Sequence, residues 1–223
     1  MKKAVITAVG HYVPDNVITN KYFEERMDTT DEWITTRTGI RERRYAPDDM
    51  ATSDMGVRAI EDCLKMRGID KDEIDFIICA TVTPDHVFPA TACLIQHKLE
   101  MKHPKIWGFD ISAACSGFIF ALETARRLIE SGGSKKAIVV GADKMTVIVD
   151  PLDRATCIIF GDGAGAVLLE ASDDDNVGII DSVLHVDGSG LPHLHMKAGG
   201  SAMPASMASR RLLSSSVTVA SSR

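Results

Sequence analysis

Residues 105 to 133, KIWGFDISAACSGFIFALETARRLIESGG, constrain the fold more than any other stretch of the chain. Ile106 to Ile111 is too short an apolar run for a helix and reads as a buried strand. Ser112, Ala113 and Ala114 are small enough for a tight turn, and a helical pattern begins near Ser116 and stops at Gly132 and Gly133. Phe118, Ile119, Phe120 and Leu122 make the start of that helix apolar almost all round. Glu123, Arg126, Arg127 and Glu130, spaced by three and four, form one polar stripe. A mostly buried helix is expected, with Cys115 at its N-terminus.

That position has an electrostatic consequence. Unpaired N–H groups and the positive end of the helix dipole favour the thiolate, the nucleophilic form of cysteine. A dipole contribution of about 1 kcal/mol lowers a thiol pKa by less than one unit at about 1.4 kcal/mol per unit. This aids reactivity without completing an active site. Spacing alone leaves two readings open, a reactive thiol and an inert cysteine packed in a strand-to-helix turn.

Composition narrows the remaining possibilities. The 223 residues are 45% hydrophobic and 25% charged, ample material for one large core. A formal net charge of -6 argues against nucleic acid as a generic partner. Cys63, Cys79, Cys93, Cys115 and Cys157 contain no CxxC, and an odd, scattered set suits free thiols in a reducing cytoplasm. The start, MKKAVITAVGHYVP, breaks at Gly10 and Pro14 and does not read as a signal peptide. No segment approaches the ~20 apolar residues of a membrane span.

Taken in order, Ala4 to Val9 reads as a strand and Gly10 to Asn20 as a loop, followed by a long polar connection. Within that connection Trp33 sits among Arg37, Arg41, Arg43 and Arg44. This is either a solvated basic face or a site for a phosphate-bearing ligand with an aromatic ring, since Arg offers bidentate contacts and Trp a stacking surface. Ser53 is placed to cap a helix ending at Gly68, and Pro89 to open another over Ala90 to Met101. Strands are expected at Ile74 to Thr81 and Ala137 to Ala142, and CIIFGDGAGAVLLEAS reads as two strands around Gly161, Gly163 and Gly165. The order βαβαβαββ predicts an α/β fold with a largely parallel sheet whose last strand turns back.

Three motifs carry a resemblance: TTDEWITTRTGIRER at 29 to 43, DISAACSGFIFAL at 110 to 122, and DRATCIIFGDGAGAVLLE at 153 to 170. In this order they resemble the N-terminal portion of the β-ketoacyl-acyl carrier protein synthase III family, thiolase-like condensing enzymes of fatty acid synthesis. The resemblance runs to about residue 206 and implies a thiolase-like half with a mixed five-stranded sheet. It implies that Cys115 takes the primer acyl group from coenzyme A as a thioester, with its own backbone N–H in the oxyanion hole. It implies further that Trp33 and Arg154 sandwich the adenine, that Thr29 touches that ring, and that Arg37 lies in the arm meeting the nucleotide phosphates. Phe88 matches a residue reaching across a dimer interface into the partner's acyl pocket.

The same resemblance implies acyl-CoA and malonyl-acyl carrier protein as substrates, a homodimer, no cofactor and no metal. Family members carry a second half with a catalytic histidine and asparagine, for which this sequence has no counterpart. Its seven histidines lie outside any matching motif, and His193 with His195 gives two metal ligands without a third. The segments expected are 1 to 170 as the half bearing the nucleophile, 171 to 206 as the start of a connection to the second half, and 207 to 223 as a tail unlike the family. That tail holds six serines, three arginines and no acid, a composition suited to disorder and to an ending by frameshift or artifice. Two other functions remain in view: a cysteine hydrolase of thioesters, and a dimerising, CoA-binding half without turnover.

Overall fold

Alternation along single strands decides the architecture. Phe76, Ile78 and Ala80 point to one apolar core while Ile77 and Cys79 point to another, so the strand carrying them is buried on both faces. The same division separates Ala137 and Val139 from Ile138 and Val140, and Val167 and Leu169 from Ala166 and Leu168. The computed structural model describes residues 2–204 and the backbone of 217–219.

In chain order the elements are β1 (Lys3–Tyr12), β2 (Asn16–Thr19), α1 (Asn20–Glu24), α2 (Asp31–Thr38), β3 (Glu42–Tyr45), α3 (Thr52–Arg67), β4 (Phe76–Ala80), α4 (Thr91–Lys98) and β5 (Trp107–Ile111). After a 3-10 turn at Ala114–Ser116 come α5 (Gly117–Glu130), β6 (Lys136–Lys144), β7 (Asp162–Ser172), β8 (Leu194–Met196) and β9 (Val217–Val219). They group into two units. The first holds Met1–Val13, Pro47–Asp143 and Gly163–Leu184, and the second Pro14–Ala46, Lys144–Asp162 and the chain from His185. The units are interleaved, whereas the sequence suggests consecutive segments.

The first unit is built on a mixed five-stranded sheet in the order β1-β7-β6-β4-β5. β4 runs parallel to β5 and β6, and β1 pairs antiparallel with β7. α3 and α4 contribute Ala59, Ile60, Cys63, Ala92 and Ile95 to the core on one face. α5 covers the other with Ala121, Ala125 and Ile129. Ala4 and Ala8 belong to opposite cores although four residues apart, because the β1 register shifts between Ile6 and Ala8. At Gly10 a Cβ would lie 2.3 Å from both the Ala59 carbonyl oxygen and the Cys63 nitrogen, so only glycine lets β1 approach α3.

The second unit pairs β2 antiparallel with β3 and packs Phe23, Ile34, Cys157 and Ile158 as its core. Arg43 is buried there, donating to the Ile18 carbonyl at 3.1 Å, Asn20 Oδ1 at 2.8 Å and the Ile158 carbonyl at 2.7 Å. It is therefore a core residue and not part of a basic surface around Trp33.

Several local expectations give way to tertiary structure. Ser53 does not cap α3; Ala51 holds the N-cap position, and Ser53 N and Oγ donate to Asp85. Pro89 precedes α4, whose first N–H groups are met by Asp110 and not by a local cap. Cys157 and Ile158 form a buried turn, and Gly163 and Gly165 lie inside one strand, β7, so no reversal occurs at the glycines. The polar stretch after Asn20 contains α1, α2 and β3. Val217–Val219, within the segment read as tail, pairs with Leu194–Met196, and residues 207–216 and 220–223 lie outside the described residues.

Candidate active site

Cys115 occupies the 3-10 turn Ala114–Ser116 between β5 and α5, just before the N-cap Ser116. The preceding residue, Ala114, has φ +46°, a left-handed conformation that costs a non-glycine residue about 1–3 kcal/mol. Such strain is stored where the surrounding structure fixes a side chain in place. The Cys115 thiol is exposed. Three other thiols are not: burial pushes Cys63 and Cys157 up to about 11 and Cys79 well above its ordinary value. Cys93 is also exposed and sits in the first turn of α4, where the expected helix over Ala90 to Met101 places it.

α5 is amphipathic, not buried all round: Ile119 is 50% exposed and Arg126 only 5%. Arg126 is ion-paired with Glu123 at 2.7 Å and with Glu130 at 3.3 Å. Hydrogen bonding to Arg126, with help from Arg127 and Ser182, lowers the Glu123 carboxyl to about 2. The expected polar stripe is thus a largely buried ion cluster.

Trp33 is placed by α2 in the second unit. Thr30 caps that helix, its hydroxyl accepting from Trp33 N at 3.1 Å, and Gly39 ends it in the left-handed conformation. Ile34, fully buried, anchors the inner side and leaves Trp33 half-buried beside it. Two guanidinium groups lie over the indole: Arg37, one turn on, with Cζ 4.3 Å from the ring centroid, and Arg154 with Cζ at 4.8 Å. Arg154 Nη1 also donates to the Asp28 carbonyl at 2.6 Å. Beside it the Thr29 hydroxyl is buried without a partner among the described residues. The structure thus gathers Thr29, Trp33, Arg37 and Arg154 from positions up to 125 residues apart, with Arg37 over the indole.

Phe88 is 85% exposed in the loop between β4 and α4. Among the described residues no three His, Cys, Asp or Glu side chains cluster as metal ligands, and His193 and His195 gain no third. No helix among them is long and apolar enough to cross a membrane.

Residues 109–188 match the family model described as 3-oxoacyl-[acyl-carrier-protein] synthase III. Among curated relatives, the β-ketoacyl-[acyl-carrier-protein] synthase III of Solibacter usitatus is 53% identical over 208 residues, covering 92% of this chain and 62% of that protein. Its counterpart in Chlorobaculum tepidum is 52% identical over 206 residues with the same coverage. Over the portion they share, the chain is similar to the β-ketoacyl-[acyl-carrier-protein] synthase III family. The family's thiolase-like fold is found again in solved structures. The priming β-ketosynthase of the R1128 polyketide pathway superposes with TM-score 0.88 at 36% identity, over 98% of this chain and 63% of that one. The synthase III of Aquifex aeolicus gives TM-score 0.72 at 47% identity, over 78% and 55% respectively. The chain therefore spans somewhat under two thirds of the length of the curated relatives it matches.

Proposed function

We propose that this chain carries the acyl-loading chemistry of an enzyme that begins fatty acid synthesis in the cytoplasm. In this reading a primer acyl-CoA transfers its acyl group to Cys115, and the thioester is then condensed with malonyl-acyl carrier protein, releasing carbon dioxide and giving a 3-oxoacyl product. The observation that carries the reading is Cys115 itself, an exposed thiol in a strained turn before a helix, within the stretch matching the family model. In this reading the backbone N–H of Cys115, beside the start of α5, serves as an oxyanion donor.

Trp33, Arg37, Arg154 and Thr29 ask for the same class of ligand. An indole flanked by guanidinium groups takes a planar ring and nearby phosphates, and a buried hydroxyl lacking a partner offers a polar contact to that ring. Acyl-CoA is the compound that brings an adenine, phosphates and a thioester together. It is a substrate here, and the reading assigns neither cofactor nor metal. Phe88, exposed beyond β4, is assigned to the acyl pocket of a homodimer partner.

The experiment is intact-mass analysis of the chain after incubation with acetyl-CoA. A single acetyl adduct, absent in Cys115→Ala and slower in Trp33→Ala, supports the reading. An adduct retained in Cys115→Ala overturns it.

A further inference from the structure

Three carboxylates hold the loop between β4 and α4 at its start, middle and end. Asp143, near the end of β6, takes four hydrogen bonds on one oxygen: Oδ1 accepts from Thr81 Oγ1 at 3.0 Å, Val82 N at 2.9 Å, Thr83 N at 3.2 Å and Thr83 Oγ1 at 2.9 Å. Asp85 ties the middle to α3, accepting from Ser53 N at 2.8 Å and Ser53 Oγ at 2.6 Å, with Lys98 Nζ 3.8 Å away. Asp110, in β5, accepts from Thr91 N at 2.6 Å and Ala92 N at 2.9 Å, which fixes the loop's end and caps α4. All three surround the buried Cys79, whose thiol is kept protonated first by burial and then by their charges.

Between these anchors the tip is bare: Val87 is 93% exposed and Phe88 85%. A slack loop would lay an apolar tip back on its own surface, because burying such side chains is favourable. This one stands off on a backbone tied down at both ends. Charge-assisted hydrogen bonds are the stronger kind, and here they are spent on loop amides and hydroxyls that a strand or helix would otherwise satisfy. The result is an aromatic contact on a partly preorganised backbone, for which less ordering entropy is lost on engagement.

We propose that Asp110 and Asp143 are positioning residues which set the Phe88 tip, and through it the size of primer acyl group the protein accepts. The proposal rests on the reading above, in which Phe88 borders an acyl pocket. Neither aspartate touches the acyl group. Asp143 fixes where the chain leaves β4, and Asp110 links the strand leading to Cys115 with the helix following Phe88.

The test combines two measurements on the full chain. Hydrogen exchange reports the staking, and initial rates of Cys115 acylation from acetyl-CoA and from a branched acyl-CoA report selection. In Asp143→Asn one neutral oxygen must replace a carboxylate, so exchange at the Val82 and Thr83 amides rises about tenfold while Phe76–Ala80 stays as in the parent. The ratio of the two acylation rates shifts in the direction given by Phe88→Ala. Asp110→Asn acts likewise on Thr91 and Ala92. The conservative substitutions keep the side-chain shape, and the unchanged β4 amides show that the fold is retained. Unchanged loop exchange overturns the staking. A parent-like ratio with raised exchange, or in Phe88→Ala, overturns the role in selection. If the parent takes up neither acyl group on Cys115, the proposed function fails and this role falls with it, whereas the exchange data then still separate a held loop from a loose one.

Discussion

Arg154 lies over the indole of Trp33 with its Cζ 4.8 Å from the ring centroid. A planar ring inserted between them needs about 3.5 Å of contact distance on each side, about 7 Å in all. The guanidinium must therefore withdraw by about 2 Å before an adenine enters, giving up or re-aiming its bond to the Asp28 carbonyl. In the proposed binding mode the indole face is covered by its own cation until the nucleotide arrives. Trp33→Ala is expected to weaken CoA binding about tenfold, in line with base stacking worth roughly 1–3 kcal/mol, and to leave an acyl-pantetheine without nucleotide nearly unaffected. Calorimetry with both ligands checks this. In a Trp107→Phe background, Arg154→Ala should make the remaining indole more accessible to acrylamide in the free protein; unchanged quenching would contradict the closed face.

Accessibility reorders the thiols. Cys63, Cys79 and Cys157 are buried with raised pKa values, so limiting iodoacetamide near neutral pH is expected to reach Cys115 and Cys93 alone. Cys93 shares the helix-start position, but Asp110 already accepts from the Thr91 and Ala92 amides there. The first amides of α4 are therefore already engaged. Mass-resolved labelling should therefore show Cys115 modified first, and faster modification of Cys93 would remove the basis for assigning the nucleophile.

Much of this arrangement was legible beforehand, for reasons that differ by element. β4 is a continuous apolar run buried on both faces, and the turn at Cys115 is spelled by small residues between an apolar strand and a helix. α2 carries no apolar stripe to read, because only Ile34 of its eight residues is buried, although Thr30 and Gly39 are the cap residues that mark its ends. The sequence places an extra strand on Cys157 to Phe160 because that run is apolar and the following glycines suggest a reversal, whereas Cys157 to Ile159 form a turn and Gly163 and Gly165 sit inside β7, paired with β1. Trp33 and Arg154 came from the family motifs, and the additional stacking of Arg37 from structure alone. Asp143 and Asp110 had no local signal, since their partners lie 60 to 62 and 18 to 19 residues away.

Acid sensitivity is expected from α5. Hydrogen bonding to Arg126 lowers the folded-state Glu123 carboxyl to about 2, against an ordinary value near 4.3 in the unfolded chain. A depressed carboxyl stabilises the fold above its unfolded value, and the contribution is lost as pH falls from about 4.3 through about 2. Glu123→Gln should thus lower the melting temperature at pH 7 and make little difference at pH 2. Arg126→Ala removes the buried cation of the cluster, leaving Glu123 only the exposed Arg127, and should cost about 3 kcal/mol at pH 7. Equal melting curves for Glu123→Gln and parent at pH 7 would show that the cluster contributes no net stability.

Gly10→Ala tests the packing of β1 on α3. Its methyl group would meet backbone atoms at 2.3 Å, which no rotamer change relieves, so strand or helix must shift. A loss of about 3 kcal/mol or more is expected from chemical denaturation. A loss below about 1 kcal/mol would mean that β1 moves freely on the helix.

The last expectation separates loading from condensation. Loading asks for an accessible thiol nucleophile, donors to an oxyanion and an acyl donor. The exposed Cys115 meets the first of these needs, so slow acylation from acetyl-CoA is expected. Condensation also passes through the enolate left by malonyl decarboxylation, and the family resemblance assigns its stabilisation to a histidine and an asparagine with no matching motif in these 223 residues. Loss of one such donor costs about a hundred- to a thousandfold in rate. With two wanting, turnover by this chain alone should fall below detection. Incubation with acetyl-CoA and malonyl-acyl carrier protein should give an acyl adduct abolished by Cys115→Ala and no 3-oxoacyl product. Rapid 3-oxoacyl formation would require another residue of this chain to stabilise the enolate, and the division of labour inferred for Cys115 would have to be redrawn.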